Sequence, residues 1–124
     1  LMKPYVLDSV RSAGDEEVRK FIPEAYGSLM TAEEAAGLTE LMTAVVTVGT
    51  GSALRDAPYT SAAKTGSAEF ETGKETQAWF TGFAPAESPK VVVTVLVEEG
   101  GSGGRAAAPV ARQLFDLYMA RLGY

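Results

Sequence analysis

Apolar residues first fall into a regular pattern at Leu38, Leu41, Met42, Val45 and Val46, a spacing of i, i+3, i+4, i+7 and i+8. That spacing gathers them on one helical face. Thr31-Ala32-Glu33-Glu34 stands before it in the Thr-x-x-Glu form of a capping box, whose side chains satisfy free backbone donors reciprocally. Gly49 follows as a stop signal, so the pattern predicts an amphipathic helix over residues 32–48. Upstream, Tyr5-Val6-Leu7 and residues 18–22 read as short β-favouring pieces separated by the turn signal Ser12-Ala13-Gly14-Asp15.

Beyond a loop opened by Gly49-Thr50-Gly51-Ser52, three strands are expected in quick succession over residues 59–70, 77–85 and 90–98. A polar turn with Gly73 separates the first two, and Pro85 to Pro89 breaks the second from the third. Such short connections favour an antiparallel meander, because parallel neighbours need long crossovers. The third strand carries Val91-Val92-Val93-Thr94-Val95-Leu96-Val97, a nearly unbroken apolar run that predicts cover on both faces. Gly100-Gly101-Ser102-Gly103-Gly104 reads as a flexible turn. After it Val110, Leu114, Leu117, Tyr118 and Leu122 mark the inner face of a C-terminal helix, with Pro109 in its first turn and Arg112 and Arg121 outside. The fold class expected is α+β, an antiparallel three-stranded meander packed by a C-terminal helix.

Composition narrows the chemistry. The 124 residues fit one modest domain, with residues 1–30 as a strand-and-loop segment before a core over 31–124. Eleven Lys+Arg against sixteen Asp+Glu give a net charge of −5, which argues against nucleic acid as a partner. There is no Cys, His or Asn. Thiol catalysis, Cys/His zinc sites and imidazole-dependent triads are excluded, and neither a cofactor nor a metal is implied. No stretch approaches the roughly 20 apolar residues of a transmembrane helix, and Leu1-Met2-Lys3-Pro4 does not read as a signal peptide.

Gly101-x-Gly103-x-x-Ala106 matches a dinucleotide-binding fingerprint between strand and helix, but too little chain follows for the second parallel strand it requires. Trp79, Phe80 and Phe83 suit packing better than base stacking, given the acidic balance. Lys64-Thr65-Gly66-Ser67 is more informative because of its order with other motifs. It precedes Trp79-Phe80-Thr81-Gly82-Phe83-Ala84-Pro85, then Pro89-Lys90-Val91, then Gly103-Gly104 and Ala107-Ala108-Pro109.

That ordered set, from Thr31 to the C-terminus, resembles the C-terminal part of the transpeptidase domain of penicillin-binding proteins, within the β-lactamase/transpeptidase-like superfamily. The resemblance implies a serine acyltransferase acting on the D-Ala-D-Ala end of peptidoglycan stem peptides and trapped by β-lactams. It implies that Lys64 supplies positive charge for the substrate carboxylate and the proton relay. Thr65 would hydrogen-bond that carboxylate, with Ser67 sharing the task. Gly66 would let substrate backbone lie against the strand, and the Ser67 backbone N–H would be an oxyanion-hole donor. An extracytoplasmic, membrane-tethered enzyme is implied, with its anchor outside these residues.

The family's site also needs Ser-x-x-Lys for the nucleophile and a Ser-x-Asn box. The second cannot occur without Asn. The first occurs only as Ser61-Ala62-Ala63-Lys64, which reuses the lysine of the third box. Residues three apart in a strand point to opposite faces, so Ser61 is not expected to serve Lys64 as a nucleophile. The chain therefore reads as one wall of the cleft, inactive alone, with the remainder of the transpeptidase domain as its partner and self-association expected in isolation. A β-lactam sensor, a serine β-lactamase fragment, or a non-catalytic peptide-binding module on the same scaffold are the alternatives.

Overall fold

A computed structural model describes residues 1–124, which fold as two compact units, Leu1–Ala35 and Ala36–Tyr124. In the first, strands β1 (Ser9–Arg11) and β2 (Glu17–Lys20) pair antiparallel. The turn between them is pinned by local bonds. Ser12 N donates to Glu16 O at 2.9 Å, Glu16 N donates to Ser12 Oγ at 3.2 Å, and Asp15 takes a left-handed φ of 65°. Ladder register is set by this turn and not by hydrophobicity, so Tyr5-Val6-Leu7, expected as a strand, lies outside the ladder. Continuing the pairing that far would run into Pro23, which has no N–H to give. Val6, Leu7, Val18 and Ile22 are all exposed. The unit is held by backbone pairing and by exposed ion pairs such as Lys20–Asp8 at 2.6 Å, a type of contact worth little in water.

The expected capping box is present: Thr31 N donates to Glu34 Oε2 at 2.7 Å, and Glu34 N donates to Thr31 Oγ1 at 3.2 Å. It opens helix α1 (Ala32–Thr47). Of the apolar series expected to form its inner face, only Val46 is buried, while Leu38 and Leu41 are exposed.

The second unit is built on a three-stranded antiparallel sheet in the order β3-β4-β5, comprising β3 (Ala62–Ala68), β4 (Gln77–Ala84) and β5 (Val91–Val97). The meander and its strand positions agree with the sequence reading. A 3₁₀ turn at Ser52–Leu54 precedes the sheet, and helix α2 (Ala108–Arg121) follows it through a π-helical turn at Gly103–Ala107. The glycine stretch is thus not simply a flexible turn, since Gly103 is buried and part of a wound segment.

Helix α2 packs on one face of the sheet through Ala108, Ala111, Phe115 and Met119, all fully buried. Across from them stand Ala63, Phe80, Ala84 and Val95. The Phe80 and Phe115 rings meet edge-on with centroids 6.4 Å apart. This reverses the expected helix orientation: Val110, Leu114, Leu117, Tyr118 and Leu122 are exposed. Both series repeat at helical spacing. The buried one wins because its alanines let the helix approach the strands closely enough for Phe115 to reach Phe80. Arg112, expected outside, instead bonds Asp116 and the Ala53 carbonyl.

The opposite sheet face carries Trp79 and Phe83 of β4 and Val92 and Leu96 of β5, paired as Trp79–Leu96 and Phe83–Val92. Val92 and Leu96 are exposed, so β5 is covered on one face only, contrary to the expectation from its unbroken apolar run. That run marks a strand with two apolar faces, of which this chain fills one.

Candidate active site

The residues singled out in the sequence lie on β3, an edge strand of the sheet. Alternation divides them. Ala63, Thr65 and Ser67 stand beside Gly82, Phe80 and Ala78 on the α2 side, whereas Lys64 and Gly66 stand beside Thr81 and Trp79 on the open side. Lys64 is exposed and its Nζ donates to the carbonyl of Thr65. In an antiparallel edge strand, alternate residues direct N–H and C=O away from the sheet. The lysine contact places the Thr65 carbonyl on that outward side, and Ser67, two residues on, shares it.

Two segments converge on the α2 side of this strand. Thr65 Oγ1 lies 2.6 Å from Thr50 Oγ1 in the loop after α1. Ser67 Oγ accepts from Gly103 N at 3.4 Å. Gly103 itself presses on the strands so closely that a Cβ there would stand 2.2 Å from the Trp79 carbonyl oxygen and 2.5 Å from that of Gly66. A Cβ on Gly104 would stand 2.6 Å from the Thr50 carbonyl oxygen. These two positions require glycine for close backbone approach. The Gly103-Gly104 pair therefore wedges the entry to α2 between the Lys-Thr-Gly strand and the Thr50 loop, and is not a phosphate cradle.

The loop is fastened a second time from α2. Tyr59 Oη donates to Asp116 Oδ1 at 2.6 Å, Arg112 Nε donates to the same carboxylate at 2.8 Å, and Arg112 Nη1 donates to the Ala53 carbonyl at 3.1 Å. Burial and the Asp116 carboxylate push the Tyr59 phenol well up. Desolvation opposes ionisation of Asp116, but hydrogen bonds from Tyr59 and Arg112 hold its carboxyl below the ordinary range.

Ser61 lies just before β3, is 4% exposed, and its Oγ has no hydrogen-bond partner. It is buried while Lys64 is exposed, so the one Ser-x-x-Lys spacing does not bring a hydroxyl to an amine. Phe80 is core, as expected of the aromatic cluster, but Trp79 is 40% exposed on the open face. Thr50 is the residue that sequence reasoning missed. Its Gly-Thr-Gly setting signals a loop, but nothing local signals contact with Thr65, fifteen positions away. No group of His, Cys, Asp and Glu side chains is placed to hold a metal ion, and no helix is long and apolar enough to cross a membrane.

A family model described as the penicillin binding protein transpeptidase domain matches residues 1–116. The peptidoglycan D,D-transpeptidase PbpA of Mycolicibacterium smegmatis is 38% identical over 121 residues, covering 90% of this chain and 24% of that protein. The peptidoglycan D,D-transpeptidase MrdA of Haemophilus influenzae is 41% identical over 86 residues, covering 57% of this chain and 13% of that protein. Among solved structures, the penicillin G acyl-enzyme complex of penicillin-binding protein A from M. tuberculosis matches with a TM-score of 0.79 at 32% identity, covering 95% of this chain and 28% of that one. The D,D-transpeptidase domain of a peptidoglycan glycosyltransferase from Eggerthella lenta matches with a TM-score of 0.76 at 33% identity, covering 94% of this chain and 28% of that one. The chain spans about a quarter of the length of the PbpA relative. By sequence and by fold, it belongs to the penicillin-binding protein transpeptidase family and carries part of that domain.

Proposed function

We propose that these residues form one wall of the acyl-transfer site of a peptidoglycan D,D-transpeptidase, completed by a segment bearing the Ser-x-x-Lys and Ser-x-Asn boxes. The observation that carries this is the placement of Lys64, Thr65, Gly66 and Ser67 on a free sheet edge, with Lys64 on the open face and both hydroxyls on the other. An extended stem peptide adds to such an edge by backbone pairing. Its C-terminal carboxylate is recognised by the Thr65 and Ser67 hydroxyls and by the charge of Lys64. The relatives, named as peptidoglycan D,D-transpeptidases, favour this over a β-lactamase or a sensor.

In the reaction, a serine oxygen from the completing segment attacks the carbonyl of the penultimate D-Ala. The oxyanion is met by the outward Ser67 N–H, a kind of donor worth about 3–4 kcal/mol. Collapse breaks the peptide bond and the terminal D-Ala leaves as the amine, taking the proton the serine gave up. An acceptor amine then attacks the ester and restores the serine. A β-lactam follows the first half of this course, with its ring nitrogen as the leaving group held in place. The site works on the outer side of the cytoplasmic membrane, where cross-linking takes place.

Intact mass after incubation with penicillin G tests the reading. The 124-residue chain should keep its mass, and a protein joining it to both missing boxes should gain one penicillin. An adduct on the 124-residue chain would place a nucleophile within it, and no adduct on the longer protein would remove the transpeptidase assignment.

A further inference from the structure

The Thr50–Thr65 pair has a proton count that a carboxylate would make consequential. Each hydroxyl has one proton and two lone pairs. At 2.6 Å one of the two protons lies between the oxygens, and either residue can be its donor. A carboxylate is acceptor-only, so Thr65 can serve one only by spending its own proton on it. The bridging proton must then come from Thr50. We propose that Thr50 is a positioning residue. It donates to Thr65 Oγ1, leaving the Thr65 proton directed at the substrate carboxylate and polarised by the bond behind it.

The surrounding structure supports that task. Thr65 is 8% exposed, so its hydroxyl has little solvent from which to draw a replacement partner. Thr50 cannot readily withdraw. The next residue, Gly51, donates its N–H to Val45 O at 2.9 Å, Arg112 holds Ala53 three residues on, and the Thr50 carbonyl abuts Gly104. No carboxylate or amine is bonded to either hydroxyl, so the proton order is left to the substrate to decide. This inference rests on the carboxylate-binding role proposed for Thr65.

The experiment uses the longer protein that joins these residues to the nucleophile, and compares acylation rates with penicillin G and with its methyl ester, in which the carboxylate is masked. Thr50→Val keeps the side-chain shape and removes the hydroxyl. It should slow acylation by the acid by up to roughly tenfold, the upper end for one neutral hydrogen bond, and leave the ester rate unchanged. Thr50→Ser should restore the acid rate. Equal slowing of acid and ester by Thr50→Val, or no slowing of either, would overturn the proposal. If Thr50→Val does not yield folded protein, the acid-to-ester ratio of Thr50→Ala against Thr50→Ser decides in the same way. Thr65→Val separates this from the reading beneath it. If Thr65→Val leaves the acid-to-ester ratio at the wild-type value, the carboxylate role of Thr65 fails. If it lowers the ratio and Thr50→Val does not, only the positioning role fails.

Discussion

The two faces of the three-stranded sheet are built from similar residues and end in opposite states. On one, Phe80, Ala84 and Val95 lie buried against Phe115, Ala111 and Met119 of α2. On the other, Trp79, Val92 and Leu96 stand exposed beside the exposed lysine of the Lys-Thr-Gly strand. Hydrophobicity alone does not separate them, since β5 offers Val92 and Leu96 to the open face as well as Val91, Val93, Val95 and Val97 to the covered one. What separates them is whether this chain supplies a partner. The covered face is where the chain's own folding energy resides. The open face, which Lys64 shares, has no such partner here, and in the function proposed above the rest of the domain covers it.

The sharpest way to break this comparison is to truncate one neighbour on each face. Phe80→Ala removes a fully buried ring and its contact with Phe115, and should cost about 3–5 kcal/mol in urea unfolding of the 124-residue chain. Trp79→Ala, one position along the same strand, should cost no more than about 1 kcal/mol, because its ring has no partner layer here. Similar costs for the two would mean that the open face is packed in solution. In the longer protein the asymmetry should shrink as Trp79 gains cover.

The open face and the free edge of β5 also predict association. Unpaired backbone groups beside exposed Val92 and Leu96 form a template for another strand. Light scattering on the 124-residue chain should give a mass above the monomer. Leu96→Lys sets a charge into that face and should weaken association by about tenfold, the discrimination expected of burying an unpaired charge. A monodisperse monomer for the unmodified chain would show that the edge is protected.

What was legible in the sequence follows the range of the interaction. The Thr31–Glu34 capping box spans three residues and forms as read. The meander is equally local, because short connections leave antiparallel pairing as the only choice. The Lys-Thr-Gly strand was found through its order with distant motifs, which the family match bears out at the level of the domain. The side of α2 that faces inward was not legible. Two apolar stripes share the helix, and which one packs depends on how closely alanines let it approach the sheet. The strand status of Tyr5-Val6-Leu7 failed for a related reason, since turn geometry outweighed side-chain preference. Thr50 was out of reach because its contact with Thr65 needs the loop, the edge strand and the glycine wedge together.

The clamp joining the Thr50 loop to α2 should leave a small, two-sided mark on stability. Asp116 is held below its ordinary carboxyl range in the folded state, so its contribution is complete above the unfolded value of about 4 and fades as pH falls through the folded one. Tyr59 is shifted the other way. Its neutral phenol donates to Asp116, and the folded state loses ground once pH climbs past the unfolded tyrosine value of about 10. With the Asp116 side chain 45% exposed, solvent screening keeps the acid effect below about 1 kcal/mol. Denaturation midpoints measured across pH should therefore fall at both ends. Asp116→Asn should flatten the acid limb, and Tyr59→Phe should flatten the alkaline limb while preserving the ring contact with Phe115. If Tyr59→Phe leaves the alkaline limb unchanged, the phenol is not the group that titrates there.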